Sequence, residues 1–275
     1  MRLRSILRKL SCSSATTAFG EWCGDVSQGD NLKPSEEIIT TTMIGGGDYD
    51  VVGKEFFDFF LKLGKLQPNE KVLDVGCGLG RMAMPLIGYL RDGGSYEGFD
   101  IVSESINWCK LNITTPYTNF RFQLSDVYNK QYNPAGRYKA SEYRFPYDDE
   151  TFGFVFLTSV FTHMLPPDME NYMHEIRRVL RKDGRCFITF FLLNDESLYL
   201  MNDGQSREDF RYDLGGYRTI DANVPEYCVA YDETFILDLY ERHGLSIIPP
   251  VHYGLWCGRK DFTSYQDIIV AMKEL

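Results

Sequence analysis

The chain has 275 residues, 44% hydrophobic and 25% charged, which suits one α/β domain with an elaboration. A net charge of −10 excludes the broad basic footprint that a phosphate backbone requires, so no nucleic-acid partner is expected. No run approaches the roughly 20 apolar residues of a membrane span, and seven scattered cysteines, never in C-x-x-C spacing, point to reduced thiols in a cytoplasmic setting, without a zinc site or disulfide framework.

The N-terminal stretch MRLRSILRKLSCSS is basic, with Leu3, Ile6, Leu7 and Leu10 at helical spacing. Three readings stay open: a solvated leader, a helix making peripheral membrane contact through residues 1–12, or a cleaved organelle-targeting segment. Residues 1–45 read as an N-terminal extension, partly flexible, and 46–275 as the domain. The spacing predicts a helix over 51–63 and a strand over 71–76. A helix over 80–91, a strand over 94–99, a helix over 104–113 and a strand over 119–124 follow. After a strand at 152–159, residues 166–184 read as a helix with Met169, Tyr172, Met173, Ile176, Val179 and Leu180 on one face and Gly184 closing it. The near-continuous apolar run 185–193 reads as a strand covered on both faces, and 233–243 as a helix. Such alternation predicts a mainly parallel sheet with helices on both sides. Residues 128–146 and 194–231, rich in Tyr and charge, read as substrate-side insertions, either solvated loops or a pocket lid.

Ligands of such sheets bind at the carboxyl ends of the strands. The loop after the first strand, in KVLDVGCGLGRMAMPL, holds Gly76, Gly78 and Gly80. The dinucleotide fingerprint needs glycines at its first, third and sixth positions, and the sixth here is Arg81. A P-loop is excluded because no Gly-Lys-Ser/Thr follows. A tight turn with no ligand remains an alternative for the glycines alone. The second strand ends at Asp100, where a carboxylate can accept from both hydroxyls of a ribose; Ser103 suits the following helix N-cap better. The third strand ends near Asp126, whose acid can accept from an adenine amino group.

Glycine loop, Asp and Asp on three successive strand tips form a specific constellation. The segments VLDVGCGLGR, YEGFD, LSDVYN, FPYDDETFGFVFLTSVFTHM and RVLRKDGRCFITFF resemble the class I S-adenosylmethionine-dependent methyltransferases, strongly over about residues 50–195. The resemblance implies a Rossmann-like seven-stranded sheet with an antiparallel last strand. It implies S-adenosylmethionine as cofactor. Asp74, Gly76, Cys77, Gly78 and Gly80 would then hold its methionine part, and Asp100 its ribose. Ile101, Asp126 and Val127 would contact the adenine, and Thr158 would lie beneath the sulfonium. This cofactor carries no phosphate, which explains a bare loop without a Lys or Arg clamp.

The segment TSVFTHMLPPD lacks the Asn/Asp-Pro-Pro-aromatic run of nucleic-acid N-methylating members, and Thr158-Ser159 offers no metal acid to accompany Asp195. A small-molecule or glycan acceptor methylated at oxygen is the expectation, with N- or C-methylation of a metabolite as the alternative. His163, in the loop after the fourth strand, is the candidate general base, or else a packing residue. A catalytically silent binding subunit is the competing class.

Overall fold

The computed structural model describes residues 32–42 and 45–274. The basic stretch, the three readings of residues 1–12 and most of the 1–45 extension lie outside the described residues. Among the described residues no helix is long and apolar enough to cross a membrane.

Two helices open the described chain: α1 (Glu36–Thr41) and α2 (Tyr49–Lys62). Asp48 caps α2, its Oδ1 accepting from the N–H groups of Asp50 and Val51 at 3.0 and 3.1 Å. Then come β1 (Lys71–Val75), β2 (Ser95–Asp100), α3 (Ser103–Cys109), β3 (Phe120–Leu124), β4 (Phe152–Leu157), α4 (Pro166–Val179) and β5 (Leu180–Phe190). The second half carries β6 (Leu192–Leu193), α5 (Asp195–Asn202), β7 (Tyr212–Asp213), β8 (Tyr217–Thr219) and β9 (Val229–Asp232). It ends in α6 (Glu233–Arg242), β10 (Leu245–Ile247) and β11 (Asp267–Lys273).

Seven strands form one sheet in the order β10-β11-β5-β4-β1-β2-β3. β1 pairs in parallel with β2 and β4, and β11 runs antiparallel to both β5 and β10. Both faces are covered, as the apolar strands require. On one, α4 and α6 bury Met169, Tyr172, Met173, Ile176, Leu239 and Tyr240. On the other, α2 and α3 set Phe56, Phe60 and Ile106 over Phe154, Phe156 and Phe187. The Phe60 ring centroid lies 4.4 Å from that of Phe156. Full burial of one such ring stabilises by about 2–3 kcal/mol.

Three local expectations are corrected. Residues 80–91 form no α-helix but a chain of turns around a short 3-10 helix at Met84–Leu86. Pro85 has no N–H to give the ladder, and Gly88 takes φ +83°. The helix read over 166–184 stops at Val179; its last carbonyl bond comes from Leu180 N–H, and Leu180 already pairs with Phe152 in β5. Gly184 therefore closes no helix. The left-handed residue of that turn is Asp183, at φ +58°. Ser103 is not the α3 cap: Val102 holds that position and the side chain of Ser103 bonds Glu104.

The insertion at 194–231 contributes to a second sheet, ordered β6-β9-β8-β7. It has its own core of Phe191, Leu193, Phe210, Ala230, Trp256 and Cys257. Asp267, at the start of β11, ties the two sheets together. Its carboxylate accepts from Leu192 N–H, Gly254 N–H and Trp256 Nε1, each at 2.7 Å, and from Arg259 Nη1 at 3.2 Å.

Candidate active site

The turn after β1 places its three glycines differently. All have positive φ, at +78°, +50° and +71° for Gly76, Gly78 and Gly80. A Cβ on Gly76 would meet Val160 Cγ2 at 2.5 Å, and one on Gly80 would meet Ile113 Cδ1 at 2.8 Å. A Cβ on Gly78 would meet nothing within 4 Å. Two glycines thus let the turn pack, and the third faces open space where a ligand can lie against the backbone.

Asp74 sits fully buried at the end of β1. Tyr96 Oη donates to its Oδ2 at 2.6 Å, while Oδ1 has no partner. Burial pushes its pKa up to about 8; the Tyr96 hydroxyl pulls it down and the charge of Asp100 raises it further. Cys77 is buried and its thiol is pushed well above its ordinary value by desolvation, so it is a packing residue and no nucleophile. Asp100 holds the loop from the β2 tip. Its Oδ2 accepts Gly78 N–H at 2.7 Å and its Oδ1 accepts Val102 N–H at 2.9 Å. Each oxygen keeps a second lone pair. Burial raises its pKa, against the pull of the Val102 and Gly78 amides. An unpaired buried acid, an open Gly78 and a two-oxygen acceptor fit an amine-, carboxylate- and ribose-bearing cofactor.

Ile101 is half-buried against the core on the α4 side. Asp126 is engaged: Arg137 donates to it through its backbone N–H and its Nε, both at 3.1 Å. Val127 is buried and bridges Tyr138. Thr158 is half-buried just past β4. Ser159 beside it takes φ +60°, with its N–H donating to Thr189 Oγ1 at 2.8 Å. A non-glycine residue held in that region at a strand tip is a form of strain that collects at functional sites.

His163 ends a 3-10 turn, Phe161–His163. Its Nδ1 lies 3.2 Å from the carbonyl oxygen of Glu226, which accepts from an Nδ1–H and leaves the lone pair on Nε2. Burial lowers its pKa below 6.5, against the pull of that carbonyl. The ring is therefore neutral at pH 7. The edge of Tyr132 meets it, with centroids 5.6 Å apart and planes at 82°. Tyr132 belongs to the first insertion and Glu226 to the second, and Lys130 Nζ joins the two by donating to Asn223 O at 3.1 Å.

Residues 73–188 match the family model of a methyltransferase domain. Over that segment the chain is similar to methyltransferase domains. A Thermoplasma acidophilum protein, named as a probable cobalt-precorrin-6B C(15)-methyltransferase (decarboxylating), is 30% identical over 66 residues. That match covers 23% of this chain and spans only 33% of the relative's own length. An S-adenosylmethionine-dependent methyltransferase of Methanosarcina mazei superposes with a TM-score of 0.51 at 22% identity, over 77% of this chain and 96% of its own. A Pyrococcus horikoshii protein gives 0.57 at 18% identity, over 86% and 96%. The Burkholderia thailandensis 1,6-didemethyltoxoflavin-N1-methyltransferase, solved with 1,6-didemethyltoxoflavin and S-adenosylhomocysteine, gives 0.51 at 16% identity, over 83% and 80%. At these identities the likeness is one of fold.

In this chain, Asp74, Gly76, Cys77, Gly78, Gly80, Asp100, Ile101, Asp126, Val127, Thr158 and His163 all lie along the carboxyl edge of the sheet or in the loops just beyond it. Four residues escaped the sequence reading. Arg81 donates to the carbonyls of Gly46 and Gly45 at 3.0 and 2.9 Å, and buried Tyr49 donates to Leu79 O at 2.8 Å, so the segment before α2 is fastened onto the glycine loop. The only signal for Arg81 was its place where the dinucleotide fingerprint wants glycine. Tyr132 and Glu226 had none, because they reach His163 from 31 and 63 residues away along the chain.

Proposed function

We propose that residues 46–275 methylate a hydroxyl of a small molecule or glycan, in a cytoplasmic setting, with S-adenosylmethionine as methyl donor. When bound, that cofactor supplies an electrophilic methyl group on a cationic sulfur. Gly78 gives its carboxylate-bearing end room against the backbone. Asp74 Oδ1, the unpaired buried acceptor, takes its ammonium, and Asp100 takes the ribose hydroxyls through the lone pairs that the Gly78 and Val102 amides leave free. Ile101, Asp126 and Val127 line the adenine end, Asp126 by the lone pairs that Arg137 does not use. Thr158 lies below the reacting centre.

The observation that carries the acceptor assignment is His163. Its Nδ1–H is spent on Glu226 O, and its Nε2 keeps a lone pair at neutral pH. An acceptor hydroxyl can hand its proton to Nε2 as its oxygen forms the new bond to carbon.

The test pairs calorimetry of S-adenosylhomocysteine with a methyl-transfer assay, using isotope-labelled cofactor on metabolite and glycan pools read by mass spectrometry. Label on oxygen supports the proposal. Label on nitrogen or carbon overturns the O-methylation. Tight cofactor binding with no labelled product in any pool would make the chain a silent binding subunit.

A further inference from the structure

His163 is the meeting point of the two insertions. The first brings the ring of Tyr132 against it, and the second brings Glu226 and Tyr227. The loop that carries Tyr132 is built to hold still: Asn129 Oδ1 accepts the N–H groups of Gln131 and Tyr132 at 2.9 and 3.0 Å, and Asn133 Nδ2 returns to Val127 O at 2.9 Å. Tyr132 also lies within electrostatic reach of Asp100 and of Tyr227. Burial pushes its phenol up to about 12, so it remains a hydrogen-bond donor.

Two polar atoms on residues adjoining this pair are buried without a partner, Gln131 Oε1 and Thr162 Oγ1. Buried polar groups are almost always paired, and an exception calls for an explanation. Ligand hydroxyls would supply one. Burial holds both Tyr132 and His163 in their uncharged forms at neutral pH, so a neutral ligand suits them. A flat arene would cover the rings but leave the polar atoms bare, the mismatch that polar sites reject most strongly.

We propose that Tyr132, His163 and Tyr227 enclose the acceptor pocket and that it takes a pyranose-type ring with neighbouring hydroxyls. One hydroxyl faces His163 Nε2 and the next accepts from Tyr132 Oη. This rests on the methyl-transfer reading above and narrows its acceptor to one chemical class.

The test is saturation-transfer NMR on the full chain loaded with S-adenosylhomocysteine. The probes are methyl pyranosides of the gluco, galacto, manno and 6-deoxy series, with catechol as the flat comparison. At least one pyranoside should bind. Its Kd should rise about tenfold or more in Tyr132→Ala, and about fivefold in Tyr132→Phe, which removes only the hydroxyl. S-adenosylhomocysteine affinity should stay within about twofold in both variants, a readout that general unfolding would move. No signal from any pyranoside on the loaded protein, binding of catechol alone, or equal pyranoside affinity in Tyr132→Phe and wild type would overturn the pocket. Failure of S-adenosylhomocysteine to bind the wild type would instead bring down the cofactor reading, and the pocket with it.

Discussion

Alanine at each of the three loop glycines should separate folding from binding. All three positions have left-handed φ, so each substitution carries about 1–2 kcal/mol of backbone strain. At Gly76 the new methyl would sit 2.5 Å from Val160 Cγ2, and at Gly80 it would sit 2.8 Å from Ile113 Cδ1. Such overpacking adds about 1–3 kcal/mol. At Gly78 nothing lies within 4 Å, so strain is the whole effect on the free protein. With roughly 2–4 °C of melting temperature per kcal/mol in a domain of this size, Gly78→Ala should lower Tm by about 2–8 °C. Gly76→Ala and Gly80→Ala should lower it by about 4–20 °C. Binding should rank the other way. The methyl at Gly78 enters the space proposed for the cofactor, and even a displacement costing about 1.4 kcal/mol weakens binding tenfold. Differential scanning fluorimetry gives the first ranking and calorimetry with S-adenosylhomocysteine the second. If Gly78→Ala binds within about threefold of wild type while folded, the open space at that residue is not the ligand's and the reasoning fails.

Asp100→Ala should weaken S-adenosylhomocysteine by about 30- to 150-fold, the equivalent of about 2–3 kcal/mol for a charged two-oxygen acceptor; unchanged affinity in calorimetry would remove the ribose assignment. His163→Ala should keep cofactor affinity and lose about 10²–10⁴ in turnover on the identified acceptor. Because burial holds His163 below 6.5, the wild-type acid limb of kcat/KM should fall below that value, and a limb well above it would name another base. Asp74 has a folded-state pKa of about 8 against an ordinary 3.8. Its stabilising contribution is therefore full below pH 3.8 and is lost as pH rises through 8. The Tm of the free protein should fall between about pH 4 and 8 and level off above that, and Asp74→Asn should flatten that slope; parallel slopes would show that another group sets it.

The strands of the large sheet were legible because the apolar runs at 71–75, 152–157 and 185–190 must be covered on both faces, whatever surrounds them. The glycine loop and Asp100 were legible for a similar reason: they follow strands at fixed short spacing, so local pattern places them on one edge. The turns at 80–91 were misread because the apolar period of that segment is helical while Pro85 and Gly88 deny it the hydrogen bonds. The end of α4 was misread because Gly184 is an attractive stop, yet Leu180 gains more by pairing with Phe152. Asp126 looked free because Arg137 is eleven residues away and reaches it only through the fold of the first insertion. The acceptor side was the least legible. The 194–231 stretch reads as loop because β7, β8 and β9 are two to four residues long, too short to show alternation. Its core partners, Trp256 and Cys257, come from a distant segment.

The position of β11 bears on the order in which the protein is made. This strand follows every other strand in the chain yet sits inside the sheet, between β10 and β5, with Asp267 opposite Phe190. The strands that carry the glycine loop, Asp100 and Asp126 precede it by well over a hundred residues and pair among themselves. The carboxylate that fastens the small sheet to the large one belongs to β11 itself. On a translating ribosome the edge proposed to hold the cofactor is therefore complete while the half proposed to hold the acceptor still lacks its anchor, and a growing chain would gain these two surfaces one after the other.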